Sequence, residues 1–131
     1  MNLTFPDQPP DETTLLQTEN ASSRTPFLRG IIGKLDLTLD PMIPAGSILQ
    51  IDPREREISP RRDWTHEFQR PIYFLQTKDG YVCGWCELDK DSQWMTLIPH
   101  PLSPASSRRY KYPAEVENIG RVISVVIRSA E

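Results

Sequence analysis

Glycine is scarce in this chain, six residues of 131, while proline is abundant at thirteen. That ratio excludes a helix-rich fold, because proline fixes φ and has no N–H to donate inside a helix or a central strand. Two cysteines are too few for a disulfide framework. No apolar run approaches the roughly 18 residues of a membrane-spanning helix. The first residues, Met1-Asn2-Leu3-Thr4-Phe5-Pro6-Asp7, lack the basic start and apolar stretch of a signal peptide. Excess positive charge is missing too: 15 basic against 18 acidic residues give a net charge of −3, with no global attraction for nucleic acid. A soluble, cytoplasmic, bacterial-type protein with no membrane partner is expected. The length suits one domain with a core that needs no staples.

What is present is a series of short strand-like runs. Residues 1–26 are polar and interrupted by Pro6, Pro9, Pro10 and Pro26, and read as a disordered tail or linker. Within them Thr14-Leu15-Leu16 alone could make a small docking contact. The domain is expected over 27–131. The alternation Leu35/Leu37/Leu39 has the period of a strand, and Ser47 to Asp52 reads as the next. A charged loop follows over 53–70. Ile72-Tyr73-Phe74-Leu75 is rich in β-formers. Asp79-Gly80 is a hairpin signal leading into Tyr81 to Leu88. Trp94 to Ile98 is a further strand, His100 to Pro113 a Pro/Ser loop, and Ile119 to Arg128 a closing β-branched strand. The pattern predicts an all-β fold.

The segment Thr38-Leu39-Asp40-Pro41-Met42-Ile43-Pro44-Ala45-Gly46-Ser47-Ile48-Leu49-Gln50-Ile51-Asp52 carries a resemblance. It is similar to the start of the LexA-like domain, the self-cleaving C-terminal domain of bacterial and phage repressors, which has the LexA/signal-peptidase-like coiled β-sheet fold. In that family a serine, a methionine, any residue and a proline precede a second turn ending in glycine. A strand ending in Val/Ile-Asp comes next. Leu97-Ile98-Pro99-His100-Pro101 and Ile119-Gly120-Arg121-Val122-Ile123 resemble later pieces in the same order, so the likeness covers about residues 28–128. Thr38 stands at the position of the family's serine nucleophile, and Leu39 at that of the methionine. Aligning on Asp79-Gly80 puts the family's catalytic lysine near Trp85, with Gly84 and Cys86 as neighbours. None of these is a base that could activate a hydroxyl. The resemblance therefore implies a pseudo-peptidase without catalytic residues. A cleft could remain at Thr38, Leu39, Trp85 and His100, with the indole partly filling it.

Other groupings lead to blander readings. Cys83-Gly84-Trp85-Cys86 has redox spacing, but lies in a predicted strand where residues three apart face opposite sides. A zinc site from Cys83, Cys86, His66 and His100 meets the same objection. Arg61-Arg62 and Arg108-Arg109-Tyr110-Lys111-Tyr112 read as solvated loops. No cofactor or metal is implied.

The resulting expectation is a regulatory domain, for dimerisation or sensing, of a helix–turn–helix transcriptional repressor. DNA would be bound only through a helix–turn–helix absent from these residues. A homodimer would form through the last strand lying at an exposed edge, with Ile119, Val122, Val125 and Ile127 at the contact. Two alternatives stand beside it: a peptidase using Thr38 with an unrecognised base, and a stand-alone peptide- or protein-binding module.

Overall fold

The computed structural model describes residues 13–17, 26–59 and 66–127. Eight strands account for most of its regular structure: β1 (Leu15–Gln17), β2 (Leu28–Ile31), β3 (Ile48–Asp52), β4 (Tyr73–Thr77), β5 (Gly80–Leu88), β6 (Trp94–Ile98), β7 (Arg108–Lys111) and β8 (Val116–Val126). The only described helical segment is the 3₁₀ turn Glu67–Gln69. The fold is all-β, as the prolines and short β-branched runs require. Every pairing is antiparallel, in the order β1-β2-β3-β8-β4-β5-β6-β7. Among the described residues no helix is long and apolar enough to cross a membrane.

The two longest strands bend the sheet by changing partners along their length. β5 pairs with β4 through Gly80–Gly84 and with β6 through Trp85–Leu88. β8 pairs with β4 through Val116–Arg121 and with β3 through Arg121–Val126. A bridge between Thr14 and Tyr81 then joins the start of β1 to β5. The strands β1-β2-β3-β8-β4-β5 thus form a ring, and β6 and β7 extend from the far half of β5.

Apolar side chains fill both faces of the central strands, which explains their nearly unbroken apolar sequence. Phe74, Cys83, Trp85, Ile119 and Val122 enter one buried cluster with Leu49 and Ile51. Tyr73, Leu75, Val82, Cys86 and Val116 enter a second with Met95, Leu97 and Tyr110. Each fully buried large side chain contributes about 1.5–3 kcal/mol relative to exposure. Gly80 makes the hairpin with φ +110°, a left-handed conformation that glycine adopts without strain. At the end of β3, Asp52 receives hydrogen bonds from the backbone N–H and the guanidinium of Arg54. The Arg54 contacts hold its carboxyl below the usual range.

Four expectations are corrected. The Leu35/Leu37/Leu39 alternation is not a strand: residues 33–46 are turns, with hydrogen bonds Asp36 N to Gly33 O, Asp40 N to Leu37 O and Ile43 N to Leu39 O. Leu35 is 69% exposed while Leu39 is 3% exposed, so the period of two has no common buried face. The expected loop over 100–113 contains β7, anchored by the buried Tyr110. Leu15–Gln17, expected in the tail, form β1 on β2, and Thr14 bridges to Tyr81, so these residues belong with the sheet and not with a tail ending at 26. The remainder of 1–25, Thr13 apart, lies outside the described residues. Finally, the expected contact residues of β8 are mostly not available: β8 stands between β3 and β4 in the strand order, with β4 on its first half and β3 on its second. Ile119 and Val122 are buried and Val125 packs on the core, leaving only Ile127 of the expected contact residues exposed.

Candidate functional site

Thr38 follows a turn fixed by Asp36. The Asp36 carboxylate accepts the Thr38 N–H through Oδ1 at 3.3 Å. Its Oδ2 accepts the Thr14 hydroxyl at 2.7 Å and the Cys83 N–H at 3.2 Å. One carboxylate thereby ties the Thr38 turn to β5 and to the first described residues. Two features carry the chain away from this turn: Pro41, after a cis peptide bond with Asp40, and Pro44, whose carbonyl accepts the Ser47 N–H.

The Thr38 side chain meets β5 at Gly84. A β-carbon on Gly84 would stand 2.9 Å from the Thr38 Cγ2 and 2.7 Å from the Leu97 Cδ1. Gly84, one of the two neighbours of Trp85 in the chain, is therefore the β5 residue that abuts Thr38. All four lysines of the chain, Lys34, Lys78, Lys90 and Lys111, are exposed.

The four expected cleft residues are brought together. The His100 N–H donates to the Thr38 carbonyl at 2.7 Å. The His100 ring stacks on Trp85 with centroids 5.9 Å apart. Leu39 and Trp85 share one core cluster. All four residues are buried, so they form a packed corner of the core and not an open groove. The indole N–H of Trp85 has no hydrogen-bond partner among the described residues.

His100 is held at both ring nitrogens. The backbone N–H of Leu102 donates to Nδ1 at 3.1 Å, so that nitrogen presents its lone pair. Nε2 then carries the proton and faces Glu67 Oε2 at 2.8 Å. Beside them, Arg70 lies over the Trp85 ring at 5.2 Å and forms an ion pair with Glu87 at 2.9 Å. Neither ring nitrogen of His100 is turned toward Thr38.

No protein family, curated protein or solved structure matches the chain.

The two thiols lie in different clusters, Cys83 in one and Cys86 in the other. Burial pushes both thiols up from the ordinary range. Among the described residues no group of three or more His, Cys, Asp or Glu side chains is placed to hold a metal.

Sequence reasoning missed Asp36, Glu67 and Arg70, and saw Thr14 only as part of a small docking contact. Asp36 had a signal: an aspartate two residues before a turn residue often accepts that residue's N–H. Glu67 and Arg70 sit in a loop whose charges gave no period, and only the fold brings them to Trp85.

Proposed function

We propose that this domain is a non-cleaving relative of the LexA-like repressor domains, and that it serves to pair or sense. The observation that carries the reading is the contact between Thr38 and Gly84. The position that resembles the family's nucleophile abuts the strand expected to hold the family's lysine, and the residue there has no side chain. A hydroxyl needs an adjacent base to attack a peptide bond. Around Thr38 stand a glycine, an engaged imidazole and a buried indole. DNA contact is assigned to a helix–turn–helix outside these residues.

For the pairing surface, strand register replaces the edge of β8. Leu15, Ile31, Ile48 and Val126 are directly opposite one another across β1, β2, β3 and β8. They form an apolar row on the outer side of the ring, with Leu15 and Val126 exposed. The next row on that side, Gln17, Arg29, Gln50 and Ser124, is polar. Two copies meeting through this row would set two DNA-binding heads at half-site spacing.

The test is a fusion of this chain to a monomeric helix–turn–helix head, read by repression of an operator-driven reporter. Repression that depends on the fused domain is the expected result. A folded fusion that stays monomeric and does not repress overturns the pairing role. Separately, prolonged alkaline incubation followed by mass measurement should return the intact chain. A fragment that disappears in Thr38→Ala would restore the peptidase reading.

A further inference from the structure

On the side of β5 away from β4, Gly80–Gly84 has no complete neighbouring strand. Thr14 supplies a single bridge to Tyr81, and Asp36 supplies a carboxylate oxygen to the Cys83 N–H. Thr14 is 2% exposed although β1 itself has only three residues. Its hydroxyl has two partners at once: it donates to Asp36 Oδ2 at 2.7 Å and accepts the Gly33 N–H at 3.1 Å. The backbone of Thr13 and Thr14 lies so close to Gly33 that a β-carbon there would collide with the Thr13 carbonyl group.

These features define a slot with its own recognition chemistry. Its walls are a strand edge at Tyr81, a side-chain-free floor at Gly33, one fixed acceptor and one fixed donor. A hydroxyl on a β-carbon satisfies both polar groups. Alanine or valine would leave a carboxylate oxygen and a backbone N–H short of a partner, which is costly where water is excluded. In the folded chain the occupant is residues 13–17. We propose that the slot is a binding site for an extended peptide carrying threonine or serine, and that such a segment from another molecule can replace the chain's own. Backbone pairing gives affinity in this mode and the hydroxyl pocket gives selectivity.

The tethered segment competes at high effective concentration, so its hold must be weakened before a second peptide can enter. The full chain carrying Thr14→Val does this without changing side-chain shape. A labelled peptide with the sequence of residues 11–18 should bind this variant at least tenfold more tightly than it binds the unmodified chain, read by fluorescence anisotropy. The serine version of the peptide should retain binding, and the valine version should lose most of it. Asp36→Asn placed in the Thr14→Val chain should weaken binding of the threonine peptide.

A folded variant that binds the peptide no better than the unmodified chain overturns the proposal. Equal binding of the threonine and valine peptides also overturns it. If Thr14→Val fails to fold, refolding with each peptide present decides the matter. Recovery of the β circular-dichroism signal with the threonine peptide and not the valine peptide supports the slot, and no recovery with either overturns it.

Discussion

The γ-methyl of Thr38 and the α-carbon of Gly84 fit together so closely that Gly84 cannot gain a β-carbon without displacing Thr38 or Leu97. A β-carbon on Gly84 has two neighbours inside 3 Å, and one of them is the methyl that distinguishes threonine from serine. Gly84→Ala should destabilise the domain by about 1–3 kcal/mol, the usual cost of overpacking. Adding Thr38→Ser should recover part of that loss, with a coupling of at least about 0.5 kcal/mol. Urea unfolding of the four members of the cycle measures it; additive effects would mean that Leu97 alone carries the strain.

Alkaline pH should weaken the fold through its two buried thiols. Their folded pKa values are raised above the unfolded value near 9.0. The sign follows from linkage: the unfolded chain loses these protons first, so stability is full below about pH 9 and falls as pH rises beyond it. Melting temperature should decline from pH 9 upward, and less steeply in a Cys83→Ala, Cys86→Ala double variant. Both thiols should react slowly with an alkylating reagent in the native protein and quickly in denaturant.

Adjacent valines near the end of β8 should respond in opposite ways. Val125 packs on the core, whereas Val126 is 57% exposed. Val125→Glu sets an unpaired charge at a half-buried position against the core and should destabilise the domain by about 1–3 kcal/mol. Val126→Glu should change stability by no more than about 0.5 kcal/mol. If copies pair through the row that contains Val126, this substitution should also lower the molar mass measured across a concentration series.

His100→Ala should loosen the segment after β6. It leaves the Leu102 N–H without its acceptor and Glu67 without its imidazole. The expected loss is about 1–3 kcal/mol. Hydrogen exchange should accelerate at Leu102 and at the residues following it, and remain slow in β4.

The regular elements were largely legible in the sequence because their signals are local. Asp79-Gly80 announces the β4–β5 hairpin, and the β-formers Ile72-Tyr73-Phe74-Leu75 announce a strand. Leu35, Leu37 and Leu39 misled because an alternation of leucines says nothing about which of them faces a partner; the Asp36 carboxylate and two prolines decide that segment. Thr14 was illegible as a ring-closing residue. Its burial depends on Gly33, Asp36 and Tyr81, and a polar surrounding such as Asp11-Glu12-Thr13 reads as solvated. The candidate site was half legible. Thr38, Leu39, Trp85 and His100 do converge, but their convergence fills the space that a cleft would need.

The strand order also sets a timetable for synthesis. β3 ends at Asp52 and β4 begins at Tyr73, yet both take β8 as a neighbour, and β8 runs from Val116 to Val126. On a ribosome adding about 5–20 residues each second, the facing edges of β3 and β4 stay open for several seconds after they emerge. During that interval Leu49, Ile51, Phe74 and Leu75, all of them fully buried at the end, lie beside unpaired backbone. A nascent chain halted before residue 116 should therefore recruit chaperones or aggregate, and one halted after β8 has cleared the exit tunnel should do neither.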